Sequence, residues 1–145
     1  MNIQVKKVNE NAILPHRATI SSAGADLYAC LTEDIVINPS ERLLIPTGIA
    51  MAIPEGYGGF IFPRSGLAIK HGIGLLNSVG VIDSDYRGEI MVALHNHGSL
   101  PQTVGHAERI AQIVFTPYHS ADFNLVDDLD ITTRGAGGFG STGKK

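Results

Sequence analysis

Residues 34–62 read DIVINPSERLLIPTGIAMAIPEGYGGFIF. Short apolar runs alternate there with turn-forming residues: Asn38-Pro39, Pro46, Pro54-Glu55-Gly56 and Gly58-Gly59. Proline fixes φ and lacks a donor, and glycine opens positive φ, so these breaks are turn signals rather than helix signals. The same pattern extends outward. Ile3, Val5 and Val8 begin an edge-like segment. GEIMVALHNHG (88–98) and RIAQIVFTPY (109–118) are further runs of strand length. In the former, Ile90, Val92 and Leu94 alternate with Met91, Ala93 and His95, the period of a half-buried strand. The 17 Gly and 7 Pro are spread as punctuation. Many short, closely spaced strands predict an all-β sandwich or jelly roll. One segment, SGLAIKHG (65–72), suits a helix of about two turns, with Ser65 as N-cap and Gly72 as its end.

A length of 145 residues and a hydrophobic fraction of 43% argue for one domain with a real core. The expected organisation is a β domain over 1–133 and a mobile, glycine-rich tail over 134–145. The formal charge of -3, with mixed signs, lacks the basic footprint of a nucleic-acid partner. It still allows local phosphate binding by a few Arg side chains and backbone N–H groups. A single cysteine, Cys30, excludes an intrachain disulfide and fits a reducing compartment. Its apolar surroundings suggest a buried, inert thiol. No apolar stretch approaches the roughly 20 residues of a membrane span, and the first residues lack a signal-peptide core. A soluble cytoplasmic protein is expected.

Five segments are candidates for chemistry. AGADLYA (23–29) carries a lone acid, Asp26, beside a turn. FPRSGLAIKHG (62–72) sets Arg64 before a helix start, where a guanidinium fork and free N–H groups suit phosphate oxygens. LNSVGVIDSDYRGEI (76–90) holds Asp83 and Asp85, with Tyr86 able to pack on a sugar. Read as a hairpin over 79–88, it would turn both acids to one face wherever the chain is extended, with Val81 and Ile82 pressed onto the core. An acid at the end of an apolar strand suits a general base, though metal ligation and turn capping are common alternatives. ERIAQIVF (108–115) sets the amide of Gln112 among apolar neighbours. RGAGGFGSTG (134–143) places five glycines after Arg134, around the isolated aromatic Phe139. Glycine there lets backbone N–H groups converge on an anion.

Two further patterns carry less. GFGSTGKK partly matches a phosphate-binding P-loop, but Lys145 stands where Ser or Thr is required, and no helix follows. His95 and His97 share a strand face without a third ligand at a telling spacing, which favours two exposed strand histidines over a metal site.

Together, in order and over about 120 residues on the scale of one domain, the five segments resemble the motifs of the trimeric dUTPase family. AGADLYA is similar to its first, PRSG to its second, GVIDSDYRG to its third, ERIAQ to its fourth and RGAGGFGSTG to its fifth. The resemblance implies a jelly-roll-like fold, a homotrimer with active sites shared between subunits, and Mg²⁺-dependent hydrolysis of dUTP to dUMP and pyrophosphate by water attack on the α-phosphate. Such an activity limits uracil in DNA and supplies dUMP for dTMP synthesis. It also implies roles. Arg64, Ser65, Gly66 and Gln112 would bind phosphates, and Asp26 would hold the Mg²⁺ hydration shell. Asn77 and the backbone at Gly80 would read uracil, Tyr86 would pack on deoxyribose, and Asp83 would activate water. Arg134, Phe139, Gly140, Ser141 and Thr142 would form a closing tail. One departure is Ala107, where the family usually has glycine; an alanine there is expected to tilt a turn. The competing readings are a dCTP deaminase, for which no glutamate lies in the base-reading segment, and a non-catalytic β-sandwich, which leaves the tail unexplained.

Overall fold

The computed structural model describes residues 1–138. Eleven strands and one helix are found among them. In chain order the strands are β1 (Gln4–Lys7), β2 (Ala25–Tyr28), β3 (Ile35–Ile37), β4 (Arg42–Pro46), β5 (Ile49–Ala52) and β6 (Tyr57–Phe62). Helix α1 (Ser65–His71) comes next. It is followed by β7 (Ile73–Leu75), β8 (Gly80–Ile82), β9 (Met91–Asn96), β10 (Gln102–Val104) and β11 (Arg109–Pro117). The strands form a four-stranded sheet, β2-β11-β6-β8, a three-stranded sheet, β4-β9-β7, and two separate pairs, β1-β5 and β10-β3. Among the described residues every pairing is antiparallel, and none of the sheets closes on itself. This is a jelly-roll-like β fold with one short helix. No helix among the described residues is long and apolar enough to cross a membrane.

Alternation sets the core. In β9, Val92 and Leu94 are buried and the residues between them are not. They meet Ile37, Ile45, Ile49, Ile90, Ile110 and Ile113, all at 2% exposure or less. Fully burying each such side chain contributes about 1.5–3 kcal/mol.

Three local expectations are corrected. Gly58 and Gly59 lie inside β6 and make no turn. A Cβ on Gly59 would come within 2.9 Å of Ile53 Cδ1 and 3.1 Å of Ile113 Cδ1, so glycine here admits core side chains against the backbone. Ser65 is the first helical residue rather than the N-cap. That place belongs to Arg64, extended at φ -96 and ψ 128, and no side chain caps the helix. Gly72 ends it in the left-handed conformation, as expected. Finally, residues 79–88 make no two-stranded hairpin. β8 pairs with β6, the chain turns at 83–86 through Tyr86 N–H to the Asp83 carbonyl (3.2 Å), and Ile90 N–H then donates to the Ile49 carbonyl. A strand already paired elsewhere is not free to pair with its own return. Ile82 packs against the core, whereas Val81 is 60% exposed.

The packed body ends near Tyr118. Residues 119–133 form no strand and stay exposed, with Phe123, Leu125, Leu129 and Ile131 at 82–103%.

Candidate active site

Strand β11 organises the largest group of candidate residues. Its register sets Gln112 opposite Asp26 of β2 on one side and Phe62 of β6 on the other. Because Pro63 and Arg64 continue directly from β6 into α1, three distant segments meet at one edge. Asp26, Arg64, Ser65, Gly66, Arg109 and Gln112 line one cavity of about 370 Å³, together with Ser22 and Gly24.

A bulge aligns the two polar residues of β11. Three positions apart on a regular strand, Arg109 and Gln112 would face opposite ways. The register shifts between Arg109 and Ala111, and the consecutive residues Ile110 and Ala111 are both buried. The extra residue restores the parity, so both polar side chains reach the cavity.

Charge there is already paired. Arg64 Nε donates to Asp26 Oδ1 at 2.8 Å, and Arg109 Nη1 donates to Asp26 Oδ2 at 3.3 Å. Arg64 Nη1 also donates to the Arg109 carbonyl at 3.3 Å. Two guanidinium groups sharing one carboxylate leave a net positive cluster. The Gln112 Nε2 amide donates to the Pro63 carbonyl at 3.0 Å. Gly24 makes room for it, since a Cβ there would lie 2.6 Å from Gln112 Oε1. The first-turn N–H groups of a helix have no intrahelical partner, and no acidic side chain occupies the first turn of α1. Surplus positive charge, free N–H groups and open space at Gly66 suit a polyanion.

The other candidates lie elsewhere on the chain. Asp83 lines a cavity with Asp85, Ser84 and Arg87, and another with Tyr86, Glu89, Val81 and Leu44. Neither includes a residue of the polyanion cavity. The turn is braced: Tyr86 Oη donates to the Glu89 carbonyl at 3.0 Å, and Glu89 Oε1 accepts from Gly48 N–H at 2.7 Å. Gly88 leaves room for the tyrosine in this position, because a Cβ there would run into the Tyr86 hydroxyl. Asn77 and Gly80 come together. Val79 N–H donates back to the Asn77 carbonyl at 2.6 Å, with Ser78 at φ 60 between them. Arg134 is exposed, and its Nε donates to the Gly137 carbonyl at 2.8 Å. Phe139, Gly140, Ser141 and Thr142 lie outside the described residues.

Sequence reasoning left Arg109, Ser22 and Gly24 out of the site. Arg109 stands in the same short segment as Gln112, but its side of the strand depends on the bulge. Burial raises the Cys30 thiol pKa above 9.0; the nearby Glu89 carboxylate adds to the rise and Lys7 opposes it.

The chain is thus an all-β jelly roll with an arginine-lined recess at a strand-to-helix junction, chemically suited to an anion. The family model described as dUTPase matches residues 10–143, and the chain belongs to that family. The deoxyuridine 5'-triphosphate nucleotidohydrolase of Syntrophotalea carbinolica is 48% identical over 143 residues, covering 99% of this chain and 97% of the relative. Its namesake from Desulfitobacterium hafniense is 55% identical over 131 residues, covering 90% and 87%. Among solved structures, the Staphylococcus bacteriophage 80alpha dUTPase with dUPNHPP superposes with a TM-score of 0.88 at 28% identity, covering 98% of both chains. A dUTPase mutant from phage phi11 of S. aureus, described as coordinating a structural Mg(II) ion, superposes at 0.80 with 25% identity, covering 90% and 100%.

Proposed function

We propose that this chain hydrolyses dUTP to dUMP and pyrophosphate with Mg²⁺, as a homotrimer whose active sites are shared between subunits. The observation that carries this reading is the recess of Asp26, Arg64, Ser65, Gly66 and Gln112, with a surplus of positive charge in a chain of dUTPase family. The recess of about 370 Å³ is lined by the phosphate candidates and by none of the residues proposed for base and sugar. The base and sugar then need Asn77, Gly80 and Tyr86, which lie apart from it on the same chain. Two copies supply both halves. The exposed apolar side chains of residues 119–133 support such an assembly, since each gains by covering its surface on a neighbour.

In this reading Arg64, Ser65, Gly66 and Gln112 of one subunit align the phosphates. Asp83 of a second subunit takes the proton of the attacking water, and Tyr86 leaves no space for a 2′-hydroxyl. Asn77 and the Gly80 backbone read the uracil edge by fixed donors and acceptors, which refuses cytosine strongly. The tail of a third subunit adds Arg134, Ser141 and Thr142 to the phosphates, brings Gly140 close and lays Phe139 over the base. Asp26 fits a Mg²⁺ site, because this ion takes one or two carboxylates, keeps much of its water and draws its other ligands from phosphate oxygens. When bound, Mg²⁺ neutralises phosphate charge. Asp26 would hold the ion's water shell, and Arg64 and Arg109, which pair with it here, would be available to the phosphates. In the cell, the activity would keep uracil out of DNA and supply dUMP for dTMP synthesis.

The test is a nucleotide panel assayed for pyrophosphate with and without Mg²⁺. Pyrophosphate from dUTP alone, dependent on Mg²⁺, is expected. Inorganic phosphate as first product, or ammonia from dCTP, would overturn the reading.

A further inference from the structure

The two histidines that the sequence leaves as strand surface meet in the structure. His95 lies in β9 and His97 just beyond its end. Their Nδ1 atoms are 3.1 Å apart, and their ring centroids 4.2 Å. We propose that His95 and His97 form a two-histidine chelate for a borderline first-row divalent cation such as Zn²⁺ or Ni²⁺, distinct from any Mg²⁺ held with the nucleotide.

The spacing carries the argument. Imidazole nitrogens bound to one ion at about 2.0–2.1 Å lie roughly 2.9 Å apart at a right angle and roughly 3.3 Å apart at the tetrahedral angle. The observed separation falls between these edges. A ring-to-ring hydrogen bond also suits it, with one Nδ1–H donating to the other Nδ1. An ion takes the place of that proton when both neutral rings carry their hydrogen on Nε2. The rings must splay somewhat from their 4.2 Å centroid separation to aim both lone pairs at one ion.

The backbone holding the pair is fixed. Asn96, between them, is wholly buried. Its Nδ2 donates to the carbonyls of Ile37 and Leu100 at 2.8 Å each, and its Oδ1 accepts from Gly98 N–H at 2.8 Å. Gly74, the β7 partner of His95, leaves space: a Cβ there would press on His97 Cδ2 and Nε2 at 3.2 Å. The β4 partner of His95 is Arg42. Neither neighbour brings a carboxylate, and no group of three or more ligating side chains is found among the described residues. Two nitrogens with water in the remaining positions select Zn²⁺, Ni²⁺ or Cu²⁺ over Mg²⁺, which prefers oxygen. Two protein ligands also make the site exchangeable rather than permanent.

The experiment is calorimetric titration of the tag-free protein with ZnCl₂ or NiCl₂ in buffer containing excess Mg²⁺. One ion per chain is expected, with affinity weakened by about tenfold or more in His95→Gln and in His97→Gln. Absence of binding, or undiminished affinity in the double variant, overturns the proposal. Should a variant unfold, selective broadening of both histidine ring resonances by Ni²⁺ in the wild-type protein decides the matter; broadening confined to other histidines refutes it.

Discussion

Replacing Ala107 by glycine is expected to stabilise the protein. Residues 105–108 form a turn in which Glu108 N–H donates to the Gly105 carbonyl at 3.4 Å, with Ala107 third at φ 65. That is the place a type II turn gives to glycine. A side chain in the left-handed region costs about 1–2 kcal/mol. Glycine recovers that but loses about 0.5–1 kcal/mol to the greater freedom of the unfolded chain. Ala107 is exposed, so its methyl group takes no core packing with it. The balance is a gain of about 0.5–1 kcal/mol, or roughly 2–4 °C in thermal midpoint per kcal/mol for a chain near this size. Scanning calorimetry at matched protein concentration measures it, since the proposed assembly would make the midpoint concentration-dependent. Asparagine should fall between alanine and glycine, and valine below alanine. A midpoint for Ala107→Gly at or below wild type would refute the reasoning, because it would mean the turn holds no strain that glycine relieves.

Asp83→Asn should keep the fold and bind dUTP but lose turnover by a factor of about 10² to 10⁴, and wild-type turnover would move the base elsewhere, with Asp85 next. Tyr86→Ala should narrow the preference for dUTP over UTP in steady-state kinetics; an unchanged ratio puts sugar discrimination in another residue. Refolding a chain ending at Thr133 together with full-length Asp83→Asn should recover activity that neither has alone. Mixed trimers that form yet stay inactive would show that the tail serves its own subunit's Asp83. For Cys30, the folded state favours the neutral thiol. Above the ordinary value of 9.0 the unfolded chain releases the proton first, so stability should fall as pH rises. Urea unfolding at about pH 8 and about pH 10 should show this loss in the wild type and a smaller one in Cys30→Ala, and equal losses would contradict it.

Fold class was legible because the strands are short and punctuated, and β9 displays its buried face as strict alternation. What the sequence concealed was pairing. The segment after Gly80 looks like a local hairpin, yet β8 is claimed by β6, and nothing within residues 79–88 announces that competitor. Gly58-Gly59 resembles a turn because glycine signals both sharp bends and close approach, and only the positions of Ile53 and Ile113 distinguish them. Ser65 looked like a cap, but Arg64 leaves β6 extended and the helix begins one residue earlier. Arg64 was legible from its place before a helix start and Asp26 and Gln112 from the motif resemblance, but Arg109 was missed, because the ion pairs joining these residues span 38 and 83 positions and appear only on folding.

The bulge in β11 makes the interval between Arg109 and Gln112 behave like a reading frame. Each added or removed residue in an extended chain exchanges one face for the other, so a spacing of three works only while Ile110 remains the extra member. Deleting one residue there would leave the composition almost untouched, yet send Arg109 toward the opposite face, away from Asp26. The charge of the recess thus depends on a count as much as on the identity of its side chains. A design that regularises this strand for stability would silence the site without altering any of its polar residues.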